Sequence, residues 1–200
     1  MKKYFAALAI LGAGVACAPA AQAKDLTGWF VNGAAGRVNY HATIGGTDLG
    51  SDHGTAGIVN FGYRTQFIGV EAGYTNLGHL SGSYQQDGYG SSARLSGDGW
   101  TLGINGHFNL TPQWFISARG GLFLWKLHAR QTDFGPGFSD TTKGSTQSTD
   151  GYAGIGTGFD IDRHWSVSAN FDYYRVSKPS DFGKLDIGNR VFTVGAEYRF

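Results

Sequence analysis

The sequence predicts an all-β protein, an eight-stranded antiparallel up-and-down transmembrane β-barrel, on three observations. Eight segments alternate apolar and polar residues with the period of a strand that has one greasy and one wet face. The connections between them alternate long and short, which around an even number of antiparallel strands places every long loop at one end and both termini at the other. No run beyond Ala23 approaches the roughly 20 apolar residues of a membrane helix, so any crossing must be made by strands.

The first element is a leader. Lys2 and Lys3 precede the apolar run Phe5 to Val15, and Ala21-Gln22-Ala23 offers small residues for cleavage, so residues 1–23 read as a secretory signal peptide and 24–200 as the barrel domain. Gly14-Val15-Ala16-Cys17 can be read as a degenerate lipoprotein site, but the expected leucine is absent and a better cleavage site follows. Cys17 is the only cysteine, so the mature chain of about 177 residues has neither disulfides nor cysteine-based metal or redox chemistry. Without Lys2 and Lys3, 14 of the 16 basic residues remain against 15 acidic ones, and no basic tract suggests nucleic acid.

The strands are expected at 28–40, 54–65, 67–76, 94–108, 114–129, 151–161, 165–177 and 190–200. In the first, Arg37 and Asn39 argue that odd positions face inward, whereas Asn32 and Gly36 argue the reverse. The third sets Ile68, Val70, Ala72 and Tyr74 against Gly69, Glu71, Gly73 and Thr75. The fourth sets Trp100, Leu102, Ile104 and Phe108 against Thr101, Gly103, Asn105 and His107. In the fifth, Arg119 makes the odd face polar while Phe123 and Trp125 share it; a bulge would reconcile this strand and the first. The seventh sets Val167, Ala169, Phe171 and Tyr173 against Ser168, Asn170, Asp172 and Tyr174. The last ends on alternating Phe192, Val194, Ala196, Tyr198 and Phe200. Residues 41–53, 77–93, 130–150 and 178–189 read as long Gly/Ser/Thr/Asp loops; 66, 109–113 and 162–164 read as short turns.

The polar faces carry glycines, small hydroxyls and a few charges, which suits a narrow interior and not a solvent-facing surface. The aromatics, 14% of the chain, concentrate near the connections. Trp29, Tyr63, Phe67, Phe108, Trp114, Phe115, Phe159, Trp165, Tyr198 and Phe200 are expected in a belt at the terminal end, and Tyr40, Tyr74, Trp100, Trp125, Tyr152 and Tyr173 in one at the loop end.

The terminal Thr193-Val194-Gly195-Ala196-Glu197-Tyr198-Arg199-Phe200 resembles the C-terminal signal of bacterial outer-membrane barrels. With Val70-Glu71-Ala72-Gly73-Tyr74-Thr75-Asn76-Leu77-Gly78, the chain resembles the small OmpA-like or OmpX-like outer-membrane β-barrel family of Gram-negative envelopes. The resemblance implies an outer-membrane location with periplasmic termini and extracellular loops. It makes Thr193, Gly195, Tyr198 and Phe200 the assembly signal. Implied partners are outer-membrane lipid, lipopolysaccharide and the barrel assembly machinery, with a monomeric state and an unknown loop partner. No peptidoglycan-binding domain is expected after Phe200. Family roles include envelope stability, adhesion, serum resistance and small-solute passage.

Arg64, Glu71, Arg119, Asp172, Glu197 and Arg199 fall on lumen faces, and unpaired buried charges are costly, so they are expected to pair across the lumen. The reading is a non-enzymatic barrel with a side-chain-filled lumen and a structural, adhesion or surface-interaction role. A narrow gated channel and a lipid-modifying enzyme are the alternatives. No catalytic, cofactor or metal site is expected. His79-Leu80-Ser81 superficially resembles the His-any-Ser of lipid A deacylases but lacks a nearby downstream glutamate. Asp160-Ile161-Asp162-Arg163-His164 offers ligand atoms in a turn without a full coordination set. Residues 82–99 are Gly-rich without the Lys of a phosphate loop.

Overall fold

The structure, a computed structural model, describes residues 27–44, 47–86, 89–180 and 183–200. The leader assigned to 1–23, with Cys17, lies outside the described residues. Eight strands follow one another as antiparallel neighbours: β1 (Gly28–Ile44), β2 (Thr47–Arg64), β3 (Ile68–Gln86), β4 (Tyr89–Asn109), β5 (Trp114–Gly135), β6 (Phe138–Asp160), β7 (Trp165–Ser180) and β8 (Gly183–Arg199). β8 pairs with β1 from Phe30↔Arg199 upward, and this seam closes the barrel and removes the sheet edges at its waist.

The strands run 16 to 23 residues, well beyond the roughly 9–11 that cross a bilayer. Much of what reads as long loops is therefore paired hairpin. β3 and β4 remain in register out to Gln86↔Tyr89, and β5 and β6 out to Gly135↔Phe138. Backbone pairing continues there although Ser, Thr and Gly occupy both faces. With water on both sides there is no apolar alternation for the sequence to display. β2 and β3 pair only between Gly57↔Asn76 and Arg64↔Gly69, and β6 and β7 only between Tyr152↔Tyr174 and Asp160↔Ser166. Above the waist the wall thus divides into two four-stranded lobes, β3–β6 and β7-β8-β1-β2. A bulge between Asn76 and His79 marks the division; Gly78 takes φ +80° there, and its N–H donates to Asn76 Oδ1 at 2.7 Å.

The two ambiguous strands resolve without bulges in their membrane spans. In β1 the even residues Phe30, Ala34 and Val38 are buried, so Arg37 and Asn39 point outward. Arg37 lies in register with Phe192, where its long stem can cover apolar wall while the guanidinium reaches toward polar headgroups. In β5 the odd face is inward throughout: Arg119, Phe123 and Trp125 all project into the lumen. Their coexistence reflects two layers stacked inside the barrel.

The belts are correspondingly thinner than expected. Trp29, Tyr63, Phe67, Trp114, Phe159, Trp165 and Phe200 are outward and exposed at the terminal end, as are Tyr74, Trp100 and Tyr173 at the other. Phe108 stacks beside Phe67, and Tyr198 packs against Trp165 and Phe200. Phe115, Tyr40, Trp125 and Tyr152 are corrections: each shares strand parity with lumen residues and turns inward.

Candidate functional site

The lower lumen, nearest the termini, is built from inward polar positions of β2, β4, β6 and β8. Arg64 grips Glu197 with both guanidinium arms, Nη1 to Oε1 and Nη2 to Oε2 at 2.9 Å each, donates Nε–H to Asn105 Oδ1 at 2.7 Å, and lies 4.4 Å over the Phe30 ring. Arg199 pairs with Asp160 and approaches Glu197 at 3.5 Å. Asn109 donates to the other Asp160 oxygen at 2.7 Å, while His107 stacks on Phe115 and stands 3.5 Å from Asp160. Asp160 is the lumen partner that reading the sequence missed. Its signal was inward parity in β6, hidden by the turn-like Asp-Xaa-Asp around it.

One layer higher, Arg119 donates to both oxygens of Asp172 at 2.7 and 2.6 Å, and Asp172 is wholly buried. Glu71 differs from the expected cross-lumen ion pair: its direct hydrogen bonds come from neutral donors, Tyr152 Oη at 2.9 Å and Asn105 Nδ2 at 3.1 Å. Facing glycines make room for this layer. A methyl at Gly154 would collide with Asp172 Oδ1, and one at Gly103 would stand 2.6 Å from Tyr152 Oη. A polar cavity of about 50 Å³ remains among Asn32, Asn60, Glu71 and Ser166.

Above the ions the lumen becomes apolar. Tyr174 stacks on Tyr152 and meets Phe123 edge-on, and Val38, Ile58, Leu77, Trp125, Val176 and Val191 pack around them. Three polar groups in this layer have partners: Trp125 donates to Asp150 at 2.8 Å, Asn189 to the Tyr174 carbonyl at 3.1 Å, and Tyr40 to the Leu77 carbonyl, whereas the buried Thr101 hydroxyl, in register with Phe123, has none among the described residues. On top lies an apolar cup of about 90 Å³ walled by Leu80, Leu95, Leu127 and Ile187. The stack, ions below and hydrocarbon above, fills the barrel with side chains as a narrow eight-stranded cylinder permits.

The remaining candidates offer no catalytic geometry. His79 and Ser81 are exposed on the outer face of β3 beyond the bulge, and neither makes a side-chain hydrogen bond among the described residues. Asp162 is a turn former, its Oδ1 accepting from the His164 and Trp165 backbone N–H groups at 2.6 and 2.7 Å. Residues 89–99, from the Gly-rich stretch, are β4 strand. No group of three or more His, Asp or Glu residues able to hold a metal occurs among the described residues. In β8, Thr193, Gly195, Glu197 and Arg199 face inward, while Phe192, Val194, Tyr198 and Phe200 face outward.

The closed, outwardly greasy cylinder can be compared with known proteins. Residues 7–200 match the family model described as outer membrane protein beta-barrel domain. The structure of Ail, the attachment invasion locus protein of Yersinia pestis, in complex with the heparin analogue sucrose octasulfate, is similar at 15% identity over 86% of this chain and 99% of that one, with a TM-score of 0.51. Neisserial surface protein A follows at 17% identity, 87% and 98% coverage and TM-score 0.49. OprG of Pseudomonas aeruginosa stands at 14%, 90% and 99%, and 0.49. No curated protein matches the sequence. The match across nearly the whole chain, together with the eight-stranded closure, places this protein in the outer membrane protein β-barrel domain family.

Proposed function

We propose that this protein is a non-enzymatic outer-membrane barrel that acts through its wall and its paired hairpins, with termini in the periplasm and hairpins outside the cell. The observation that carries the reading is the stacked obstruction of the lumen: the Arg64–Glu197 and Arg119–Asp172 pairs below and the Phe123–Tyr174–Trp125 layer above. A solute would have to break a buried ion pair and then displace packed aromatics. Its role is structural or one of surface interaction, the monomer sits among outer-membrane lipids, and the terminal strand is read by the barrel assembly machinery. Purified protein in planar bilayers should show no steady conductance; a large steady conductance would overturn the reading.

A second reading, a narrow gated ion path, is favoured by the polar cavity beside Glu71 and by that carboxylate's lack of a directly bonded cation. Flickering currents that rise in Glu71→Gln or Arg119→Met would select it. A lipid-modifying activity would instead change the acyl pattern of lipid A by mass spectrometry, with loss of the change in Ser81→Ala.

A further inference from the structure

The outer face of the β3–β6 lobe carries an unusual row. Ser81 pairs with Arg94, Arg94 with Arg130, and Arg130 with Lys143, so three cations stand directly opposite one another on successive strands. Their facing follows from parity. The β4–β5 and β5–β6 ladders run without register shift, which puts Arg94 on the face of Trp100, Arg130 on that of Leu124 and Lys143 on that of Ile155, all outward and exposed. Like charges directly opposite in a sheet destabilise it. No acidic side chain pairs with Arg94, Arg130 or Lys143 among the described residues, whereas elsewhere on the molecule exposed Arg175 has Asp186 at 2.6 Å. Hydroxyls flank the row: Ser83, Ser92 and Thr132 lie two register pairs above, on the same face, and with Ser81, Arg94 and Arg130 they line a concavity of about 330 Å³. Two guanidinium groups, an ammonium and a ring of hydroxyls are the donor set for phosphate attached to a polyol.

We propose that this face docks the phosphorylated sugars of outer-leaflet lipopolysaccharide, held by Arg94, Arg130 and Lys143. The inference rests on the outward orientation of the hairpins given above. Its height argument discriminates between lipids. Arg94 lies six residues beyond the interfacial Trp100 along β4, which at about 3.3 Å per residue and a tilt of roughly 45° is some 14 Å above the hydrocarbon edge. A phospholipid headgroup layer is only about 6 Å thick, so its phosphate falls short, whereas a glycolipid with phosphates on its sugar core reaches this level. The cations also face sideways from the wall, toward neighbouring lipids and away from the barrel mouth.

The test uses the full mature chain purified in detergent and mixed with lipopolysaccharide bearing a phosphorylated core, the same glycolipid with core phosphates chemically removed, or phosphatidylglycerol. Glycolipid retained through gel filtration is then measured. Wild type should retain the phosphorylated form, and Arg94→Ser/Arg130→Ser/Lys143→Ser should retain about tenfold less, the loss of about 1.4 kcal/mol expected when charge-assisted contacts disappear. Arg163→Ser, at the opposite end, should match wild type. Folding of each variant is checked by its heat-dependent gel mobility. Equal retention by the triple variant, or indifference of wild type to core phosphates, would overturn the proposal. So would displacement by a soluble sulfated polysaccharide at lower concentration than by lipopolysaccharide, which would assign the row to a free glycan. Failure of the orientation is scored separately, by labelling Ser145→Cys in intact cells.

Discussion

Replacing Arg119 with Met probes the most deeply held ion pair. Asp172 is wholly buried and both of its oxygens accept from Arg119, at 2.7 and 2.6 Å. Met keeps much of the aliphatic stem and removes the cation, leaving an uncompensated carboxylate in the lumen. Breaking one partner of a buried pair costs about 3–5 kcal/mol, whereas replacing both with apolar groups is often neutral or stabilising. At 4 kcal/mol the folded-to-unfolded ratio falls nearly a thousandfold, on the scale of about 1.4 kcal/mol per factor of ten. Urea unfolding in lipid vesicles, followed by tryptophan fluorescence and by gel mobility without heating, reads the difference. Arg119→Met should lose 3–5 kcal/mol, and Arg119→Met/Asp172→Leu should recover most of it. A single variant within about 0.5 kcal/mol of wild type would refute the reasoning, because it would mean that water reaches Asp172 freely enough to replace the guanidinium.

Gly154→Val should disturb the same pair sterically, because a Cβ there meets Asp172 Oδ1; a drop in thermal midpoint absent from exposed Gly144→Val, where nothing lies within 4 Å, would show it. Gly78→Ala, at φ +80° and against the Thr55 carbonyl, should cost on the order of 1 kcal/mol or more in the same unfolding assay. Brominated lipids should quench Trp100 and not Trp125, so Trp100→Phe reduces the quenchable emission and Trp125→Phe leaves it unchanged; the opposite would return Trp125 to the outer wall. A chain starting at Lys24 lacks cysteine, so in that chain an impermeant maleimide should label Ser145→Cys in intact cells and leave Arg163→Cys unlabelled until the envelope is opened.

Strand count, antiparallel order and outward faces of β3, β4, β7 and β8 were legible because a lipid-facing side must alternate with a cramped interior every second residue. The same parity placed Arg64, Glu71, Arg119, Asp172, Glu197 and Arg199 in the lumen, since charge facing hydrocarbon is costly, whereas outward Arg37 defied it because a long stem can carry its guanidinium toward the headgroups. What parity could not say was who meets whom. Pairing across the lumen depends on the stagger of non-adjacent strands, so Asp160 emerged as the partner of Arg199, and Glu71 as an acceptor from Tyr152 and Asn105, only in three dimensions. Inward Phe123 and Trp125 contradicted an all-polar interior because the lumen changes character with height, a coordinate that a sequence window does not contain. The hairpin extensions were hidden for the complementary reason: where both faces are wet, backbone pairing alone holds the strand, and it leaves no mark on the side chains. The row of Arg94, Arg130 and Lys143 likewise exists only through register, which brings three residues scattered along the chain onto one line of one face.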